Sequence, residues 1–141
     1  MILLDTNVIS ALMRQAPETK VVAWLDRQPR SSVWTTSITL LELRFGLQIM
    51  AAGKKRSTLM SLFERMLRDK IENRVVSFDA AAALQASDVM AIRQKAGRPV
   101  ELRDTMIAGI ALASRATLAT RNVRHFADLA LPLVDPWALE Q

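Results

Sequence analysis

Residues 1–10 read Met-Ile-Leu-Leu-Asp-Thr-Asn-Val-Ile-Ser, and the break in the middle of them decides how the rest of the chain is read. The apolar run Ile2–Leu4 stops at Asp5-Thr6-Asn7, and apolar residues resume at Val8-Ile9. A short buried strand running into a helix explains the apolar residues on both sides of the break. The carboxylate at the junction then sits at the carboxyl end of a strand, where open α/β sheets bind their ligands. Asp5 is accordingly a helix cap, a nucleophile or a metal ligand.

Working outward, strands and helices alternate. Thr6 to about Arg14 reads as a helix capped by Asp5 or Thr6. Pro17 suits the first turn of a second helix carrying Val21, Val22, Trp24 and Leu25, and Pro29-Arg-Ser-Ser marks a loop. Val33–Thr36 is β-branched with a Trp, hence a strand. Ser37 then caps a helix with a core stripe of Ile38, Leu41, Phe45 and Ile49, ended by Gly53. Lys54-Lys55-Arg56 reads as the solvated start of a helix with a stripe of Leu59, Leu62, Phe63, Met66 and Leu67. Arg74–Phe78 is a strand, Asp79 caps a helix to about Gly97, Glu101–Arg115 is a helix, and Thr117–Thr120 and Pro132–Val134 are strands. Trp137 packs near the terminus. The alternation predicts an α/β fold, a three-layer α/β/α arrangement with a mostly parallel sheet, in one domain spanning residues 1–141.

Composition narrows the chemistry. The 141 residues are 50% hydrophobic and contain no cysteine, which excludes disulfides, thiolate zinc sites and thiol nucleophiles. Asp5 interrupts the only N-terminal apolar run, so no secretory signal is expected, and no segment reaches the ~18–20 apolar residues of a membrane span. A cytoplasmic protein is expected. The net charge of +5 and pI near 10.4 favour an anionic partner such as nucleic acid.

Most acidic residues have ordinary roles: Glu64, Asp69 and Glu72 alternate with basic residues on a solvated face. Three stand apart. Asp5 follows an apolar strand. Glu42 lies one turn into the helix after the second strand, between Thr39 and Gly46. Asp104 opens a helix whose face continues with Ala108 and Ala111. All three belong at one edge of a parallel sheet. Like charges gathered there need neutralising, which a hard divalent cation with oxygen ligands does. The single histidine, His125, argues against a histidine-based metal site and is read as structural.

The segments MILLDTNVIS, TSITLLELRFG, ELRDTMIAGIA and TLATRNVRHF occur in the order seen in PIN domains, and the chain resembles the VapC/FitB-type toxins of bacterial toxin–antitoxin pairs over nearly its whole length. The resemblance implies a magnesium- or manganese-dependent endoribonuclease. It carries Asp5, Glu42 and Asp104 over as catalytic, metal-holding acids, with Glu42 direct or acting through water. Thr6, Asn7 and Thr120 match the polar residues lining the site. A fourth acidic position of the family is Asn122 here, which supplies an oxygen but no charge for a second metal.

Arg121 and Arg124 flank Asn122 and are candidates for the RNA backbone. The resemblance further implies a small antitoxin as partner, an RNA substrate such as transfer RNA, a homodimer, and DNA contact only through the antitoxin. The stripe Leu59–Leu67, with Ile9, Leu12 and Met13, offers a groove for an antitoxin helix. Two other readings of the first strand fall short. A haloacid-dehalogenase-type phosphatase wants an Asp where Asn7 stands, and a receiver domain wants a phosphoacceptor where Asp79 looks like a cap. The remaining alternative is a catalytically weak PIN-like protein that binds an antitoxin and modulates its DNA binding.

Overall fold

A computed structural model describes residues 1–138 of the chain. Five parallel strands form one sheet in the order β3-β2-β1-β4-β5. They are β1 (Ile2–Leu4), β2 (Val33–Thr36), β3 (Val75–Val76), β4 (Thr117–Ala119) and β5 (Leu133–Val134). Six α-helices connect them: α1 (Thr6–Leu12), α2 (Thr19–Asp26), α3 (Ser37–Gln48), α4 (Lys54–Arg65), α5 (Ala80–Lys95) and α6 (Leu102–Ser114). None of the described helices is long and apolar enough to cross a membrane.

Strand alternation builds two cores. Leu4 points to a cluster with Val8, Ile9, Val21, Trp24, Leu47, Phe63 and Met66 from α1–α4 and the turn that follows α4. Leu3 points to the other face, where Ile107, Ile110, Ala111, Leu118 and Phe126 pack. On that face α6 lies tightly on α5. A Cβ on Gly109 would stand 2.5 Å from the Ala82 carbonyl oxygen and 2.8 Å from the Ala86 Cβ, so only glycine permits this approach.

Several local boundaries differ from the sequence reading. Pro17 precedes the cap of α2, which is Glu18. Thr36, not Ser37, caps α3, accepting from the Thr39 N–H; the Ser37 hydroxyl instead accepts from the Phe78 N–H. Gly53, at φ 154°, is the cap of α4 rather than the end of α3. The larger correction concerns the stripe on α3. Ile38 is buried, but Leu41, Phe45 and Ile49 are 56%, 55% and 68% exposed. The core side of α3 is Leu40, Leu43 and Leu47. Apolar residues lie on more than one face of this helix, so two stripes satisfy the helical period and spacing cannot choose between them.

The strand order reverses at β1: β2 and β3 lie to one side, β4 and β5 to the other. The carboxyl ends of β1 and β4 therefore flank the switch point of the sheet.

The tight α5–α6 contact predicts that Gly109→Ala destabilises the protein by about 1–3 kcal/mol. Gly46→Ala, with open space around its Cβ position, is expected to be neutral or to stabilise by up to about 1 kcal/mol through helix propensity. Urea unfolding of the two variants checks the contrast.

Candidate active site

Asp5 leaves β1 with its backbone N–H still in the ladder, donating to the Ala119 carbonyl at 2.9 Å. This places the carboxyl group between the ends of β1 and β4, where it is only 4% exposed. Asp5 Oδ1 accepts from the Thr6 N–H at 2.8 Å, which also caps α1, and Oδ2 accepts from the Thr120 hydroxyl at 2.7 Å. Asn7 Nδ2 lies 3.4 Å from Asp5 Oδ2 and 3.3 Å from Thr120 Oγ1. Asn7 Oδ1 accepts from the Arg121 N–H at 3.0 Å, and Thr120 Oγ1 accepts from the Asn122 N–H at 3.0 Å. One network thus ties the turn after β1 to the turn after β4.

Glu42 joins this network through Thr6, whose hydroxyl donates to Glu42 Oε1 at 2.8 Å. The cap of α3 sets the direction: Thr36 and Thr39 are fully buried, and Thr39 Oγ1 lies 3.3 Å from Thr6 Oγ1. The other oxygen of Glu42 is 3.8 Å from the Arg103 guanidinium on α6. Asp104, in the first turn of α6, donates its N–H to the cap residue Glu101 at 2.6 Å and turns its carboxylate to His125 Nδ1 at 2.9 Å.

Burial is the main cause that raises the Asp5 pKa above the usual aspartate value. The hydrogen bonds from Thr120 and Thr6 oppose it, and the negative charges of Asp104 and Glu42 add to it. The three acids therefore share one electrostatic neighbourhood, but their side chains face different partners. Among the described residues, no three Asp, Glu or His side chains close around a point that could hold an ion as they stand. The oxygen donors nevertheless suit a hard cation, which keeps several of its waters and needs few protein ligands. Arg103 lies beside Glu42 and the His125 imidazole beside Asp104.

The other expected residues take varied positions. Asn122 enters the network through its backbone N–H. Arg121 stretches over the Trp137 ring, 4.9 Å from its centroid. Arg124 lines a hollow of about 250 Å³ beside Asp104, with Arg93, Arg98 and His125.

His125 was expected to be structural, yet it is exposed and meets Asp104. It hangs from the short turn Val123–His125. Buried Arg93 pins that turn by donating to the His125 carbonyl and to both carboxylate oxygens of Asp128, at 3.1 and 3.2 Å. Arg103 was missed altogether. Its position next to Asp104, at the N-terminal turn of a helix reaching the same edge, was the available signal.

Residues 2–131 match the PIN domain family. Plasmid stability protein StbB of Pseudomonas syringae pv. tomato is 39% identical over 97% of this chain and 99% of its own length. VapC ribonuclease Y4jK of Sinorhizobium fredii is 37% identical over 97% of this chain and 98% of its own. Toxin FitB of Neisseria gonorrhoeae is 34% identical over 97% of this chain and 99% of its own. The crystal structure of FitAcB from the same organism, also 34% identical, aligns with a TM-score of 0.87 over 99% of this chain and 100% of that one. The acids at the end of β1, within α3 and in the first turn of α6, the all-parallel sheet and these matches lead to one assignment: the chain belongs to the PIN-domain family, in its VapC/FitB-type group.

Proposed function

We propose that the protein is the toxin of a type II toxin–antitoxin pair, an endoribonuclease dependent on magnesium or manganese that hydrolyses RNA phosphodiester bonds at Asp5, Glu42 and Asp104. The observation that carries this reading is Asp5, a carboxylate buried at the switch point and tied through Thr6 to Glu42; burial first, and then the charges of Asp104 and Glu42, push its pKa up. Buried charge costs several kcal/mol per ion unless it is compensated, so the cluster is built for a counter-charge. The names of the relatives, VapC ribonuclease and Toxin FitB, support nuclease and toxin roles.

Asp5 and Asp104 would hold the cation and Glu42 would hold it or orient a water bound to it. A bound divalent ion supplies charge neutralisation, polarisation of the phosphate and a water of lowered pKa. The chain's own residues prepare the rest. Thr6 fixes Asp5 through its N–H and Glu42 through its hydroxyl, so the two acids share one anchor. Thr120 and Asn7 hold the second Asp5 oxygen. Arg103 neutralises Glu42 on its far side. Asn122 adds no charge, which favours a site run by one ion. RNA is the substrate class, with transfer RNA the first to be tried, in the cytoplasm.

The antitoxin would lie along α1, α3 and α4. Two hollows there share Arg14 and Leu59: one of about 650 Å³ rimmed by Lys54 and Lys55, and one of about 250 Å³ reaching Glu42 past Gly46. Phe63, Met66 and Ile9 of the expected groove are core residues, whereas Met13 lines the smaller hollow and Leu59 lines both. The basic rim suits an acidic, amphipathic segment. DNA would be reached only through that partner. A second copy of the chain would cover the exposed stripe Leu41, Phe45 and Ile49, which lacks the charge that RNA or an acidic segment would seek.

Asp5→Asn is expected to reduce metal-dependent RNA cleavage by more than about 100-fold, beyond what loss of an outer partner costs at metal sites. A cleavage assay on purified transfer and ribosomal RNAs checks this and separates a nuclease from a partner protein that does not cut.

The same substitution should raise the melting temperature of the metal-free protein at neutral pH. The folded pKa of Asp5 is raised, so its contribution to stability is complete below the unfolded pKa and is lost as pH rises through the folded one. The advantage of Asp5→Asn should therefore grow across that window and vanish below it, as melting curves against pH will read.

Phe45→Asp should convert a dimer to a monomer with an unchanged circular dichroism spectrum. Light scattering after size exclusion measures it, and a parent protein that is already monomeric contradicts the assignment of this stripe.

A further inference from the structure

We infer that Arg121 and Trp137 form a subsite for an RNA backbone phosphate that flanks the one being cut. The inference rests on the ribonuclease reading for the presence of RNA at this edge, and on geometry of its own for the rest.

Arg121 follows the end of β4 by two residues, and Trp137 follows the end of β5 by three. Parallel pairing of these strands brings both turns to the edge that carries Asp5. The Thr120 N–H donates to the Val134 carbonyl at 2.9 Å, so the two turns leave the sheet side by side. The Arg121 backbone is then fixed to the carboxylate network, because its N–H donates to Asn7 Oδ1 at 3.0 Å.

The side chain reaches the other way, over the indole of Trp137 at 4.9 Å. That indole is itself anchored. It packs against the core cluster that contains Leu4, and its backbone N–H donates to Asp135 Oδ1 at 2.9 Å. Its Nε1 is buried without a partner among the described residues. A phenyl ring would fill the place without that orphaned donor. The feature the indole adds is the aromatic face that binds a cation most strongly, and Arg121 covers it.

A guanidinium held over an aromatic face is restrained yet keeps N–H groups free, and its planar fork fits two oxygens of a phosphate. The position decides which phosphate. β4 lies between β1 and β5, and the Arg121 side chain leans from its end toward the turn after β5, on the side away from Glu42 and α3. It is displaced from the carboxylates and addresses a neighbouring link of the same RNA strand. Arg121 is then a contact residue, and Trp137 a positioning residue that acts through it.

The test is binding of a fluorescent single-stranded oligoribonucleotide to the full chain in chelator, where no cleavage occurs, over a range of salt. Loss of one phosphate contact lowers the slope of log affinity against log salt by about 0.7 for a single strand. Arg121→Ala should show that loss, with affinity reduced several-fold at low salt. Trp137→Ala removes no charge, yet should weaken binding in the same direction. Trp137→Phe, which keeps a weaker aromatic face and guards against a folding defect, should fall between the parent and Trp137→Ala. Arg121→Lys should keep most of the slope and lose affinity, because an ammonium has no planar fork. Binding and slope unchanged in Arg121→Ala, or a Trp137→Ala protein that folds and binds like the parent, would overturn the subsite. Weaker binding by Arg121→Ala with an unchanged slope also overturns it, since the contact would then be to a base. Cleavage with magnesium is read separately: a parent that binds with this dependence but never cuts defeats the nuclease reading and leaves the subsite standing.

Discussion

Everything at the active edge depends on the carboxylate of Asp5 being held in the gap between β1 and β4. The backbone of Asp5 extends the ladder to Ala119, and its two oxygens take the Thr6 N–H and the Thr120 hydroxyl. Hydrogen bonds to a charged group contribute about 1.5–3 kcal/mol each, against several kcal/mol for taking the charge out of water. The two effects are of the same size, and the raised pKa says that burial wins. The fold therefore carries a carboxylate that it does not fully satisfy by itself, with Glu42 and Asp104 close by to worsen the imbalance.

The surrounding groups respond to that imbalance. Arg103 approaches Glu42, and His125 meets Asp104. His125 is held there by the turn that Arg93 and Asp128 pin from α5. The oxygen-rich centre is thus bordered by the Arg103 guanidinium and the His125 imidazole, with Arg124 and Arg121 on the two sides of Asn122. On the proposed reading, such a layout would draw an anionic chain across a centre completed by a cation. It links the paired strands, the caps of α1 and α3, and the proposed phosphodiester chemistry in one electrostatic arrangement.

The alternation of short apolar strands with capped helices was readable directly, because Asp5 and Asp79 mark helix starts by chemistry that does not depend on distant contacts. The location of Asp5, Glu42 and Asp104 at one edge followed from the same alternation. What could not be read was anything that depends on which face of an element turns inward. On α3, apolar residues cover both faces, so the exposed stripe of Leu41, Phe45 and Ile49 was mistaken for core. Partners brought from far along the chain were equally hidden. The Thr6–Glu42 and Asp104–His125 contacts join residues 36 and 21 positions apart, and no local pattern announces them. Trp137 gave no hint of its place beside Arg121, because that contact exists only through the pairing of β4 with β5.

The central claim is that Asp5, Glu42 and Asp104 form one electrostatic site that a divalent cation completes. Its most direct measurement is the titration of the Asp5 carboxyl carbon by NMR, with and without magnesium. Asp5 should titrate above an ordinary aspartate in the metal-free protein and fall well below that position when magnesium is present. A carboxyl group that titrates like an ordinary aspartate and does not respond to magnesium would contradict the account.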